Sequence, residues 1–187
     1  AWNATGTSWS VAPVGPAAFE GAANQAFTVG ATAIFTETPS LVTSDGTADP
    51  SGFTFSVVGY KIAGTLNYSG ALAIDAADDT SSLATPGDPD VTISAELNGA
   101  GAITKTGVGR VLLTGNNSGA LGNLAIDAGT VEITDDFGTG VAGTMTVATG
   151  ATLDATSGTI AGTVTNEGGK IEIGGATFSM GVAETTG

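Results

Sequence analysis

Residues 109–134 read Gly109-Arg-Val-Leu-Leu-Thr-Gly-Asn-Asn-Ser-Gly-Ala-Leu-Gly-Asn-Leu-Ala-Ile-Asp-Ala-Gly-Thr-Val-Glu-Ile-Thr134. Three short strands are legible here: Val111-Leu112-Leu113, Leu124-Ala125-Ile126 and Val131-Glu132-Ile133. In each, apolar side chains alternate in direction, the mark of a strand with one buried face. Glycine punctuates every interval, which rules out a helix of useful length.

The beat continues on both sides. Aligned strand starts give one ladder at Ile34, Phe53, Leu72, Val91, Val111, Val131, Leu153 and Ile171. A second ladder lies between its rungs, at Ile62, Leu83, Ile103, Leu124, Met145 and Val164. Both step by about twenty residues, and a period of that length maintained along a chain marks a solenoid. The expected fold is therefore all-β: a right-handed, single-stranded parallel β-helix with about 20 residues per coil. Each strand pairs with its counterpart one coil away, which satisfies its backbone groups. Thr92, Thr104, Thr114, Thr144 and Thr146 fall at alternate, outward positions, where a β-branched polar side chain suits a wet strand face. About nine coils at roughly 4.8 Å give a rod of about 40–45 Å. A β-sandwich also has short strands and turns but has no reason to keep one period throughout.

Charge and composition narrow the function. Eighteen acidic residues against four basic ones, Lys61, Lys105, Arg110 and Lys170, give a net charge of −14. Four scattered cations form no basic patch, so neither nucleic acid nor membrane insertion by this segment is expected. The chain has no Cys and no His, which removes disulfides, thiol nucleophiles, the usual zinc ligands and the usual general base. No run approaches the roughly 18 apolar residues of a membrane helix. The sequence starts at Ala1 without a signal peptide, as for a cytoplasmic or a processed chain.

Residues 99–117, Gly-Ala-Gly-Ala-Ile-Thr-Lys-Thr-Gly-Val-Gly-Arg-Val-Leu-Leu-Thr-Gly-Asn-Asn, carry a more specific signal. They resemble the passenger-associated transport repeat of Gram-negative autotransporters, Gly-x-Gly-x-Leu-x-Lys-x-Gly-x-Gly-x-Leu-x-Leu-x-Gly-x-Asn. Gly99, Gly101, Lys105, Gly107, Gly109, Leu113, Gly115 and Asn117 fall in place, with Ile103 and Val111 standing at Leu positions. Gly122, Ile126 and Ala128-Gly-Thr-Val131 keep much of the family's continuation, although its Tyr is missing. The resemblance implies an extracellular or cell-surface adhesin-type passenger in a Gram-negative bacterium. Its partners would be a host or neighbouring-cell surface, or copies of itself.

The polar clusters carry little chemistry. Asp75, Asp78, Asp79, Asp88 and Asp90 surround a Thr-Pro-Gly loop. Gathered hard oxygens suit Ca²⁺, but no calcium-loop motif organises them, and a solvent-exposed acidic excursion is expected. Asp135-Asp136 offers the two carboxylates that glycoside hydrolysis uses, yet no partner His or basic group accompanies them. Ser44-Asp-Gly46 and Asn117-Ser-Gly119 read as ordinary turns. Lys105 sits between the inward positions Ile103 and Gly107, so it is expected either to point partly inward or to cover the corner with its stem, in a structural role rather than a ligand-binding one. No catalytic residue, cofactor or metal is therefore assigned, and no enzyme activity is expected.

The two ends of the chain differ. Residues 1–30 are expected to form an N-terminal cap and first coil, with the β-helix over 31–187. The aromatics Trp2, Trp9, Phe19, Phe27, Phe35, Phe53 and Phe55 that crowd the N-terminal third are expected to close the end of the solenoid rather than to form a carbohydrate-stacking platform. Terminal repeats generally need such a cover. At the other end Ile171, Ile173, Phe178 and Met180 keep the apolar pattern, with little charge and no Pro to shield a strand edge. They are expected to form an assembly edge. The alternative to an adhesin or stalk is accordingly a structural subunit stacking end to end in an extracellular filament or biofilm matrix.

Overall fold

A computed structural model describes residues 29–36, 39, 41–78, 88–138, 143–178 and 182–184. They form a β-solenoid with two main sheets. One sheet stacks, in order, β1 (Thr32–Phe35), β3 (Gly52–Phe55), β5 (Leu72–Ala76), β8 (Ile103–Thr106), β10 (Leu124–Ile126), β12 (Thr144–Ala148), β15 (Thr163–Glu167) and β18 (Val182–Glu184). The other stacks β2 (Leu41–Asp45), β4 (Tyr60–Tyr68), β6 (Val91–Ile93), β9 (Arg110–Leu113), β11 (Thr130–Ile133), β13 (Thr152–Ala155) and β16 (Lys170–Ile173). A third, shorter face holds β7 (Glu96–Gly99), which pairs with β4, and the pair β14 (Thr159–Ile160) and β17 (Thr177–Phe178). Among the described residues every strand-to-strand pairing is parallel, as the recurrence of the apolar pattern demands.

The central ladder behaves as expected. Val91 pairs with Val111, Val111 with Val131, Val131 with Leu153 and Leu153 with Ile171. The first four of these side chains are buried, one above the next. Ile103, Leu124, Met145 and Val164 form the matching ladder on the other sheet. Thr92, Thr104, Thr114, Thr144 and Thr146 stand outward and half-buried between their neighbours.

Upstream of residue 91 the expected ladders require correction. Phe53 and Leu72 belong to the sheet of Ile103, not to that of Val91, and Ile62 belongs to the sheet of Val91, where it pairs with Ile93. Ile34 faces solvent at 43% exposure, while Ala33 and Phe35 turn inward. Leu83 lies outside the described residues. The cause is one long coil. Tyr60 pairs with Val91 and Leu72 with Ile103, steps of 31 residues (91 − 60 and 103 − 72), against 20 from Val91 to Val111. The eleven additional residues lie between Ala76 and Val91. Among the described residues the sheet that begins with β1 stacks eight strands, and its seven spacings make about 34 Å, against the nine coils and about 40–45 Å expected of the whole chain.

The aromatic residues near the start of the described solenoid are core. Phe35 and Phe55 stack with ring centroids 4.8 Å apart, and Tyr60 tilts against Phe35 at 4.9 Å. Phe53 and Phe55 are fully buried, so neither offers a platform for a sugar ring. The expected cap, with Trp2, Trp9, Phe19 and Phe27, lies outside the described residues.

Glycine determines how closely the coils approach at one corner. A Cβ on Gly101 would overlap the Gly70 carbonyl, and one on Gly122 would overlap that of Gly101. Side chains there would hold the coils apart. On the third face Asn117 performs a related task. It turns into the core, and its Oδ1 accepts the Leu97 N–H at 3.0 Å, while its own N–H bonds to the Asp136 carbonyl at 2.8 Å. A side chain thus completes hydrogen bonding where the regular strand ladder lapses.

Candidate functional surface

The most organised polar surface lies on the outer face of the sheet that runs through β9, β11 and β13. In register, Glu132 stacks on Leu112, Asp154 on Glu132 and Glu172 on Asp154. Three carboxylates one strand spacing apart repel each other, and directly opposed like charges destabilise a sheet. Arg110 offsets this. Its guanidinium donates to Glu132 Oε2 at 2.9 Å and to Asp154 Oδ2 at 2.9 Å, so it spans three coils. The Arg110 backbone N–H is bonded as well, to Asp90 Oδ2 at 2.6 Å. Burial works to lower the Arg110 pKa, but hydrogen bonding and charge pairing with Glu132 and Asp154 overcome it and hold the group above its ordinary value. At the next rung Lys170 pairs with Glu172 at 2.7 Å, with both side chains exposed.

Lys105 is the least expected placement. It occupies an inward position on β8 and is 1% exposed, its stem packed in the core. Its Nζ donates to the carbonyl oxygens of Thr106 at 2.7 Å, Gly107 at 2.8 Å and Ala128 at 3.2 Å. Two are at its own corner, and the third is in the next coil. The ammonium therefore ties two successive turns together from inside. Desolvation pushes the Lys105 pKa down from 10.5 to about 8, opposed by the charges of Asp75 and Asp90. Its role is structural, as the sequence implied, but it is wholly internal and does not cover the outside of the corner.

The described residues of the acidic excursion do not gather into one cluster. Asp75 points out from β5, Asp78 and Asp88 are exposed, and Asp90 is buried beneath the Arg110 N–H. Asp79 lies outside the described residues. Among the described residues no group of three acidic side chains is placed to hold a metal ion. The Asp135–Asp136 pair is also committed to backbone. Asp135 Oδ1 accepts the Asp136 N–H at 2.7 Å, and Asp136 Oδ1 accepts the Thr159 N–H at 2.8 Å in the next coil. Ser44 is buried with its Oγ accepting the Gly46 N–H, and the Ser118 N–H bonds to Asn116 Oδ1. Both are turns.

Of the expected assembly edge, Ile171 and Ile173 lie on β16 and Phe178 on β17, the last described strands of their sheets. Ile171 and Phe178 are partly buried against the core, and Ile173 is 54% exposed. Met180 lies outside the described residues. The Arg110 bridge is a feature that sequence reasoning missed. Its signal was present in the acidic residues at matching positions of successive coils.

No family model matches the chain, and no solved structure matches it. Among curated proteins, the adhesin BmaC autotransporter of Brucella suis biovar 1 is 44% identical over 88 residues. That stretch is 46% of this chain and 2% of the relative's length. The chain is thus a parallel β-solenoid that, over nearly half its length, is similar to an autotransporter adhesin.

Proposed function

We propose that this chain is a section of a surface-displayed passenger of a Gram-negative bacterium, acting without catalysis as an adhesive surface or the stalk that holds one. The observation that carries the reading is the 44% identity to an autotransporter adhesin, on a chain whose fold is a rigid rod. The polar groups support it. The carboxylates best placed for chemistry, Asp135 and Asp136, are engaged by backbone N–H groups, and the buried lysine is bonded to three carbonyls. The partner on this reading is a host or neighbouring-cell surface, met by the outward Thr, Asp and Glu rows. The edge at Ile171, Ile173 and Phe178 is then the place where a further coil of the same kind stacks.

The test is adhesion. Beads coated with the folded protein are expected to be retained on epithelial monolayers under flow, whereas beads coated with the misfolded Val131→Asp variant are not. Equal retention of the two would refute an adhesive surface in this section. The same preparation is expected to release no product from a panel of polysaccharides. Turnover abolished by Asp135→Asn or Asp136→Asn would overturn the non-enzymatic reading.

A further inference from the structure

The sequence holds three Asn-x-Ser/Thr triplets: Asn3-Ala-Thr5, Asn67-Tyr-Ser69 and Asn116-Asn-Ser118. Such a triplet is the acceptor pattern for attachment of a sugar to the asparagine amide. Asn3 lies outside the described residues. The other two differ in a way that decides between them.

Asn67 lies within strand β4, and both chemical halves of its triplet are engaged. Its Nδ2 donates to the Gly46 carbonyl at 2.7 Å, fastening two coils. The Ser69 hydroxyl donates to Asp49 Oδ2 at 2.5 Å, and the Ser69 N–H to Asp49 Oδ1 at 2.7 Å. Asn67 is exposed, but its Nδ2 is committed to the Gly46 carbonyl and the Ser69 hydroxyl to Asp49, so transfer of a sugar would first have to break the contacts that fasten the two coils.

Asn116 is exposed as well, but its triplet is not committed in this way. It precedes the turn in which the Ala120 N–H bonds to the Asn117 carbonyl at 2.9 Å, in the segment between β9 and β10. The pleat turns Asn117 into the core and so Asn116 out to solvent. Asn116 Oδ1 accepts the Ser118 N–H at 3.1 Å, which orients the amide and leaves its nitrogen uncommitted. Neither Asn116 Nδ2 nor Ser118 Oγ makes a hydrogen bond to the described residues. The backbone beneath is anchored by the Leu97–Asn117 and Asn117–Asp136 bonds, so the acceptor is presented on a fixed base.

We propose that Asn116 is a glycosylation site and Asn67 is not. The Asn116 Nδ2 attacks the anomeric carbon of a diphosphate-activated sugar. A nitrogen–carbon bond forms and the bond from that carbon to the diphosphate oxygen breaks. One Nδ2 proton passes to a base of the transferase, and the nucleoside or lipid diphosphate leaves. The product projects a hydrophilic chain from one side of the rod and disturbs no contact between coils. The proposal does not depend on what the rod adheres to.

The four basic residues make the test direct, because trypsin cuts at Lys61, Lys105, Arg110 and Lys170 and places the triplets on separate peptides. Protein recovered from the surface of the cells that make it is digested and analysed by mass spectrometry. In parallel, the folded protein is given a soluble asparagine glycosyltransferase with UDP-glucose, or a membrane oligosaccharyltransferase with a lipid-diphosphate oligosaccharide. The expected result is a glycan on peptide 111–170, lost in Asn116→Gln and Ser118→Ala and retained in Ser118→Thr, with peptide 62–105 bare. A single hexose identifies the nucleotide donor, and a preassembled oligosaccharide the lipid donor. An unmodified peptide 111–170 in the cell-derived protein, or equal occupancy of both peptides in the folded protein, overturns the proposal.

Discussion

Replacing Lys105 with Met keeps the apolar stem and removes the ammonium. The consequences are opposed. Three carbonyl oxygens, of Thr106, Gly107 and Ala128, lose their donor. These acceptors are part-buried, and at about 1–3 kcal/mol for each one left unmade their loss is the larger effect. Against it stands the desolvation of the charge. Lowering the pKa from 10.5 to about 8 corresponds to a cost of a few kcal/mol. The variant should therefore be less stable at pH 7, since the lost hydrogen bonds outweigh the relief of desolvation.

The pH dependence is the sharper measurement. Between about pH 8 and 10.5 the unfolded chain holds the Lys105 proton and the folded chain does not. Stability of the unsubstituted protein then rises with pH through that window. Tyr68, pushed by burial to about 12, works the other way from pH 10 upward, but it is common to both proteins and cancels in their difference. Urea unfolding followed by circular dichroism at pH 7 and pH 10 should show the deficit of Lys105→Met widening by a few kcal/mol. A deficit that stays constant, or narrows with pH, would refute a desolvated ammonium in the core.

Three other substitutions have expected outcomes from the same geometry. Arg110→Gln should lower stability by about 1–2 kcal/mol, more at low salt than high, because Glu132 and Asp154 lose their shared cation; urea midpoints at two ionic strengths check this. Val131→Asp places an unpaired carboxylate in the central ladder and should cost several kcal/mol, seen as loss of β-sheet dichroism at room temperature. Ile173→Lys changes a side chain already more than half exposed, so stability should move by no more than about 0.5 kcal/mol, while light scattering at high protein concentration should decrease.

The sequence made the solenoid legible because burial repeats with the coil, but it misassigned the early ladders for a specific reason. Each coil carries two main strands about half a coil apart. The additional eleven residues after Ala76 amount to about half a coil as well. Counting forward by nineteen from Leu72 therefore lands on Val91, a real strand start on the wrong sheet. Periodicity cannot detect a slip that equals the spacing between its own sublattices. The side-chain placements had a different limit. Strand alternation put Lys105 among inward positions, but whether an ammonium is accepted there depends on carbonyls from two corners, which only the folded stack supplies. Arg110 is similar, since it reaches carboxylates one and two coils ahead that no window of adjacent residues contains.

The 31-residue coil also bears on how such a rod can change. Pairing resumes after it in the same parallel manner, so the path length between two strands is decoupled from the distance that the rod advances. The chain between two rungs can lengthen or shorten there while every other rung keeps its neighbours. The segment between Ala76 and Val91 can therefore change in length without altering the stack on either side of it.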